Sequence, residues 1–167
     1  AAAPGWSIKP RWRLQLDYAA ANGPSAITGL DRNGDAEVRR HYFGFDATVP
    51  GGIAMRVEAD IAGEKFELTD AYVTAKPLKN VSVTLGQHKS FMSMEDMTSD
   101  LFTSFTERAF FNSAFGFERR VGASATITQG DVIIQGGAFL DNALDLNNGG
   151  NDSLSLDGRL VYAPVIG

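Results

Sequence analysis

Four arginines carry the first chemical signal in this sequence. Arg13, Arg40, Arg56 and Arg120 each fall on the polar face of a segment in which apolar and polar residues alternate. A guanidinium stays ionised at any physiological pH and presents a planar fork of donors that fits carboxylate or phosphate. Residues of this kind recognise anions; they make and break no bonds. Acidic residues share the same faces, namely Asp17, Asp46, Glu58, Asp60, Asp70 and Asp157. The arginines therefore have two readings. They form a cationic surface for anions, or they form ion pairs with Asp46, Glu58 and Asp60 that fix a wall in place. Exposed pairs of that kind are common and contribute little each.

Other chemistries lack their residues. His41 and His88 are the only histidines, they lie on different segments, and nothing beside either completes a metal triad. His41 shares a face with Phe43 near a strand end, which suits an interfacial position better than a ligand. The cysteine count is zero, so there is no disulfide framework, thiolate metal site or cysteine nucleophile. No glycine-rich cradle follows a strand and opens a helix. No Ser, His and Asp stand in a motif context. Asp31-Arg32-Asn33-Gly34-Asp35 is rich in oxygen ligands but lacks the remaining spacing of a calcium loop, and reads as a surface turn. Asp141, Asp145, Asn147, Asn148, Asn151 and Asp152 read as a solvated loop for the same reason. No catalytic residue, cofactor or metal is assigned, and an enzyme is the least favoured class. With 15 basic against 20 acidic residues the net charge is −5, which gives no footprint for nucleic acid.

The elements that position the arginines are strands. Period-two alternation runs through Trp6–Ala20, Glu37–Val49, Ile53–Ile61, Phe66–Lys76, Val81–Lys89, Arg119–Thr128, Val132–Leu140 and Leu154–Ala163. Within Val81–Lys89, parity puts Gln87 and Lys89 on the apolar face, so Gly86 is read as a bulge that resets the facing. Pro50-Gly51-Gly52, Pro77–Asn80 and Gln129-Gly130-Asp131 make tight turns, whereas the first, fifth and seventh strands lead into long loops. Short turns at one end and long loops at the other mark an up-and-down membrane barrel. Strands of about ten residues also suit a tilted crossing of the bilayer. A soluble antiparallel sandwich would alternate in the same way, and remains the alternative.

Alternation stops for about thirty residues between Lys89 and Arg119. The segment holds Phe91, Phe102, Phe105, Phe110, Phe111, Phe115 and Phe117, too many aromatics for a solvated linker. They are expected to pack the segment against a wall. Ser93 and Asp96 stand at capping-box spacing, with Glu95 and Asp96 in the first turn, which predicts a short helix there. Lys89, Glu95, Asp96, Glu107 and Arg108 could project from the segment; Glu107 and Arg108 are read as pins that hold it to the wall.

Several runs carry a resemblance. Arg11–Tyr18, Val38–Val49, Asp70–Ser90, Met94–Asp100, Phe105–Gly116 and Arg119–Ile127 are similar, in order and spacing, to the N-terminal half of the phosphate-selective porin O and P family. The resemblance implies an all-β fold: an antiparallel up-and-down transmembrane β-barrel of sixteen strands, of which about eight are in view. It implies a trimer in the bacterial outer membrane, in contact with lipid, whose third outer loop folds inward to narrow the lumen. Residues 89–119 take the place of that loop. The family's anion path is basic, so Arg13, Arg40, Arg56 and Arg120, with Glu58 and Asp60, become the expected pore lining. Lys89, Glu95, Asp96, Arg108 and Arg119 become the expected constriction residues. The implied function is passive diffusion of small hydrophilic solutes, with phosphate and other small anions as candidates. The interleaved acids argue for mild selectivity. A barrel of only eight strands is filled by its own side chains and has no room for such a loop. The chain is accordingly expected to be half of a barrel, and an eight-stranded membrane anchor is disfavoured. A secreted soluble β-sandwich or β-barrel that binds a ligand is the runner-up.

Overall fold

The computed structural model describes residues 5–20, 34–63, 66–105, 107–115, 119–146 and 153–164, apart from the side chain of Asp100. The expected turn at Asp31–Asp35, Phe117 and residues 147–152 of the late loop fall wholly or largely outside them. Eight strands form: β1 (Ser7–Ala19), β2 (Asp35–Val49), β3 (Ile53–Asp60), β4 (Glu67–Leu78), β5 (Val81–Lys89), β6 (Arg119–Gln129), β7 (Val132–Phe139) and β8 (Ser155–Tyr162). They lie in one antiparallel sheet in sequence order, so β1 and β8 are its edges. A meander of this kind puts the β2–β3, β4–β5 and β6–β7 turns at one end. Backbone hydrogen bonds from Lys76 to Gly52, Thr128 to Asn80 and Ala163 to Asp131 stitch that end together at 2.8–3.1 Å.

Alternation sorts the faces as the sequence requires. Trp6, Trp12, Leu16, Tyr18, Phe43, Leu85, Leu156 and Leu160 all lie exposed on the outer face. A sandwich would bury such a face against a second sheet. Here all eight strands belong to one sheet, and a continuous apolar exterior on strands of eight to fifteen residues is what a lipid-facing wall needs. No helix among the described residues is long and apolar enough to cross a membrane.

Three local features differ from the sequence expectation. The fourth strand passes through Pro77 to Leu78, and the turn falls at Lys79-Asn80. A register shift between Ala75 and Leu78 takes Lys76 and Pro77 out of the ladder to β5, so the missing proline N–H costs no bond there. Gly86 is no bulge, because pairing continues through it to both neighbours. Its φ is 116°, and a Cβ would meet the backbone of Ala71 and Tyr72. Gln87 is then buried for another reason: its amide donates to the carbonyls of Leu68 and Thr69, and its oxygen accepts the N–H of Ala143. Finally, β2 begins at Asp35, so His41 lies in the strand interior, where its Nε2 accepts a 3.0 Å hydrogen bond from Trp12 Nε1.

The long connection between β5 and β6 folds over the polar face of the sheet. It holds α1 (Met94–Met97), a 3-10 turn (Asp100–Phe102) and α2 (Phe110–Ala114). Ser93 caps α1 as its spacing predicts, its Oγ accepting the N–H of Asp96 at 3.0 Å. The phenylalanines depart from expectation. Phe91 is buried, but Phe102, Phe105, Phe110, Phe111 and Phe115 are exposed.

Candidate functional site

Between the polar face and the loop lies a groove with a cavity volume of about 950 Å³. Inward side chains of seven strands border it: Arg11, Arg40, Arg56, Asp70, Thr84, Ser124 and Gln135 come from β1 to β7 in turn. That one cavity touches all seven means the sheet is curved with its polar face inside.

The wall at β1–β3 is charged. Arg11 sits opposite Gly44, and Asp46 sits opposite Arg56, so register alone brings these groups together. Asp46 accepts from both: two hydrogen bonds from Arg56 at 2.7 and 3.2 Å, and one from Arg11 Nη1 at 3.0 Å. Arg11 Nε reaches Glu58 at 2.8 Å. Glu58 is buried, and Thr69, the extra residue at a register shift between β3 and β4, donates to its carbonyl. Arg13 stacks 4.4 Å over the ring of Tyr42, and Arg56 lies 6.0 Å from that of Tyr72. Arg40 donates to Gln15 Oε1 at 3.0 Å.

Where the loop meets the wall, the cations change partners. Arg119 donates to Asp70 at 2.7 Å. Lys89 donates to the backbone carbonyl of Asp96, and its Nζ lies 3.9 Å from the Asp96 carboxylate. Arg108 bonds the same carboxylate and the carbonyl of Thr98, so it ties the loop to itself rather than to the wall. Glu95 closes the loop further by accepting the N–H of Ala109 and the amide of Asn112, which in turn accepts from Ser93 Oγ. Glu107 does reach the wall, through Arg39.

A third cluster anchors the base of the loop. Phe139 is 0% exposed, with the ring of Phe91 at 5.9 Å and that of His88 at 5.1 Å. Gly137 and Gly122 make the room: a Cβ on Gly137 would lie 2.7 Å from the Phe139 ring, and one on Gly122 would overlap it. His88 Nδ1 faces the carbonyl of Gly86 at 2.9 Å and must donate there. Its Nε2 therefore accepts from Ser124 Oγ at 2.8 Å.

Of the residues singled out from the sequence, Arg13, Arg40, Arg56, Glu58, Lys89, Arg108 and Arg119 border the groove. Asp60 does not; its carboxylate accepts the backbone N–H of His41 and Ala62, both at 2.9 Å. Arg120 lies opposite His88 in register, half-buried and off the groove. Glu95 and Asp96 are engaged within the loop. Arg11 had the right parity but was passed over. Arg39 had the wrong parity. A register shift between Gln15 and Leu16 makes it an extra residue in β2 and turns it to Asp17, Glu37 and Glu107. The visible signal was a charge on the face meant for lipid, which is costly unless the backbone re-aims it. Among the described residues no group of three or more His, Asp or Glu side chains is placed to hold a metal ion.

Seven basic side chains border the groove against two acidic ones, Glu58 and Asp70, both of which are paired with arginine. Asp46 and Asp96 stand just behind this lining and pair with four of the seven, so basic groups still outnumber acidic ones there although the chain as a whole carries −5.

Residues 8–167 match the family described as phosphate-selective porin O and P. The chain is also 36% identical over 169 residues to a curated protein of Caulobacter vibrioides (strain ATCC 19089 / CIP 103742 / CB 15), described there as an uncharacterized protein. That alignment takes in 96% of this chain and 34% of the relative, so the chain spans about a third of the length of the curated relative it matches.

Proposed function

The chain belongs to the phosphate-selective porin O and P family, a family of outer-membrane proteins, and from that premise we propose that it supplies part of the wall and the constriction of a water-filled channel through which small anions diffuse. The observation that carries the reading is the excess of basic over acidic side chains bordering the groove between the polar face and the loop. A pore selects by diameter and by the charge along its lumen. Arg11, Arg13, Arg40 and Arg56 line the wall, and residues 89–119 form the loop that narrows the passage. Arg119, Lys89 and Arg108 surround the point where loop and wall meet. The eight strands are about half of a larger barrel, whose remaining strands close the edges at β1 and β8. The chain as a whole sits in the bacterial outer membrane and assembles as a homotrimer.

Planar-bilayer recording of the full-length protein in a potassium chloride gradient tests the central claim. An anion-directed reversal potential is the expected result, and a cation-directed one rejects it. Fractionation tests the location: the protein should partition with outer membranes and require detergent, and full extraction in buffer alone would refute the membrane reading. A monomer-sized particle in mild detergent would remove the trimer and leave the channel intact.

A further inference from the structure

The groove has one property that small inorganic anions do not use. Its two sides differ in chemistry. Arg11, Arg13 and Arg56 stand on the wall, two of them held over tyrosine rings. The loop contributes Met97 and Leu101 to the same cavity, and Leu101 is 66% exposed although apolar. A hydrated phosphate or chloride gains nothing from that leucine. A ligand with a carboxylate at one end and an apolar ring at the other satisfies both sides at once. Its oxygens meet guanidinium donors, and its ring covers Leu101, Met97 and the edges of Tyr42 and Tyr72. The groove, about 950 Å³, has room for a ligand of that size.

We propose that this groove is a binding site for aromatic carboxylates, which occupy it in preference to small aliphatic or inorganic anions of the same charge. The proposal rests on the anion-channel reading above and names a substrate class for that site. Tyr42 stacks against Arg13, and Asp46 fixes Arg11 and Arg56 by hydrogen bonds, so the cationic side is in place before the ligand arrives. Leu101 lies in the 3-10 turn at Asp100–Phe102, where Ser99 caps the backbone N–H of Leu101 at 3.4 Å. The apolar side is therefore carried on a structured turn.

The full-length channel in a planar bilayer tests this, with chloride as the current carrier and benzoate or acetate as the added anion. The two probes share charge and head group and differ in the ring. Benzoate should reduce the chloride current at a roughly tenfold lower concentration than acetate, the size expected from covering a modest apolar area. In Leu101→Asn that advantage should fall to about threefold or less, since Leu101 is the most exposed apolar part of the contact. Phe102→Ser, on a neighbouring exposed ring that does not border the groove, should keep the benzoate advantage over acetate, each anion compared within the same variant. Equal block by benzoate and acetate in an anion-selective wild-type channel overturns the proposal alone. It would mean that further wall strands cover Leu101. A channel without anion selectivity overturns the channel reading and this proposal together. A benzoate advantage that persists undiminished in Leu101→Asn, or falls equally in Phe102→Ser, rejects the assigned site.

Discussion

At β1–β3 the inward side chains are Arg11, Arg13, Arg40, Asp46, Arg56 and Glu58, whereas along the middle of β5–β7 they are Thr84, His88, Ser124, Thr126, Gln135 and Phe139, with Gly122 and Gly137 between them, and the cations Lys89 and Arg119 stand only at the strand ends that enter the loop. Both stretches follow the same alternation, and both border the same cavity. The loop does not treat them alike. It seats Phe91 on Phe139 at the loop-side end of the neutral half, and it makes no such apolar contact with the charged half. Covering the Arg11–Asp46–Arg56 part of the network, still about one-third exposed, would remove three charges from water at several kcal/mol each. Burying Phe139 against Phe91 costs no polar solvation and gains dispersion contacts. The difference shows how one strand pattern serves two ends: neutral, glycine-spaced positions hold the loop, and charged positions face the groove.

That contrast can be broken most directly at its dry end. Phe139→Ala should cost about 3–5 kcal/mol, as for other buried phenylalanines, measured by urea unfolding of the full-length protein in detergent. A loss below about 1 kcal/mol would mean that the loop is held elsewhere. Next in size is Asp96→Ala, which deprives Arg108 and Lys89 of their shared carboxylate. Charge-assisted hydrogen bonds suggest about 1.5–3 kcal/mol. The sharper readout is faster cleavage within residues 94–112 by added protease, with the wall strands uncut; an unchanged cleavage rate would show that the Glu95 and Asn112 contacts suffice.

The open half should respond in selectivity rather than stability. Arg56→Ala leaves Asp46 with Arg11 alone and removes a cation from the groove. Both side chains are about one-third exposed, so the stability cost is expected at about 0.2–1 kcal/mol. The reversal potential in a salt gradient should move toward zero. If stability falls and selectivity does not, the network is structural. The smallest effect belongs to Arg39→Ala. Glu107, 70% exposed, is its partner on the loop, and screening holds such a pair below about 1 kcal/mol. Single-channel records should show a noisier open level at low salt, converging with wild type near 1 M, where the Debye length is about 3 Å. A salt-independent difference would point to packing rather than charge.

The sequence determined the parts that depend on near neighbours. Alternation located all eight strands and their faces because successive side chains on a strand point to opposite sides whatever lies beyond. The Ser93 cap was legible because its partner is three residues away. Contacts set by register were not legible. Arg11 and Arg56 converge on Asp46 only once three strands align, and Arg39 turns inward only because β2 carries one more residue than β1 at that point. The phenylalanines of the loop were alike in the sequence, yet Phe91 alone of those described is buried, because Gly122 and Gly137 open a space for Phe139 beside it. Charge divided the same way. Composition gives −5 for the chain, while the tertiary fold gathers seven basic side chains around one groove against Glu58, Asp70 and, just behind them, Asp46 and Asp96, since only pairing across strands decides which charges meet.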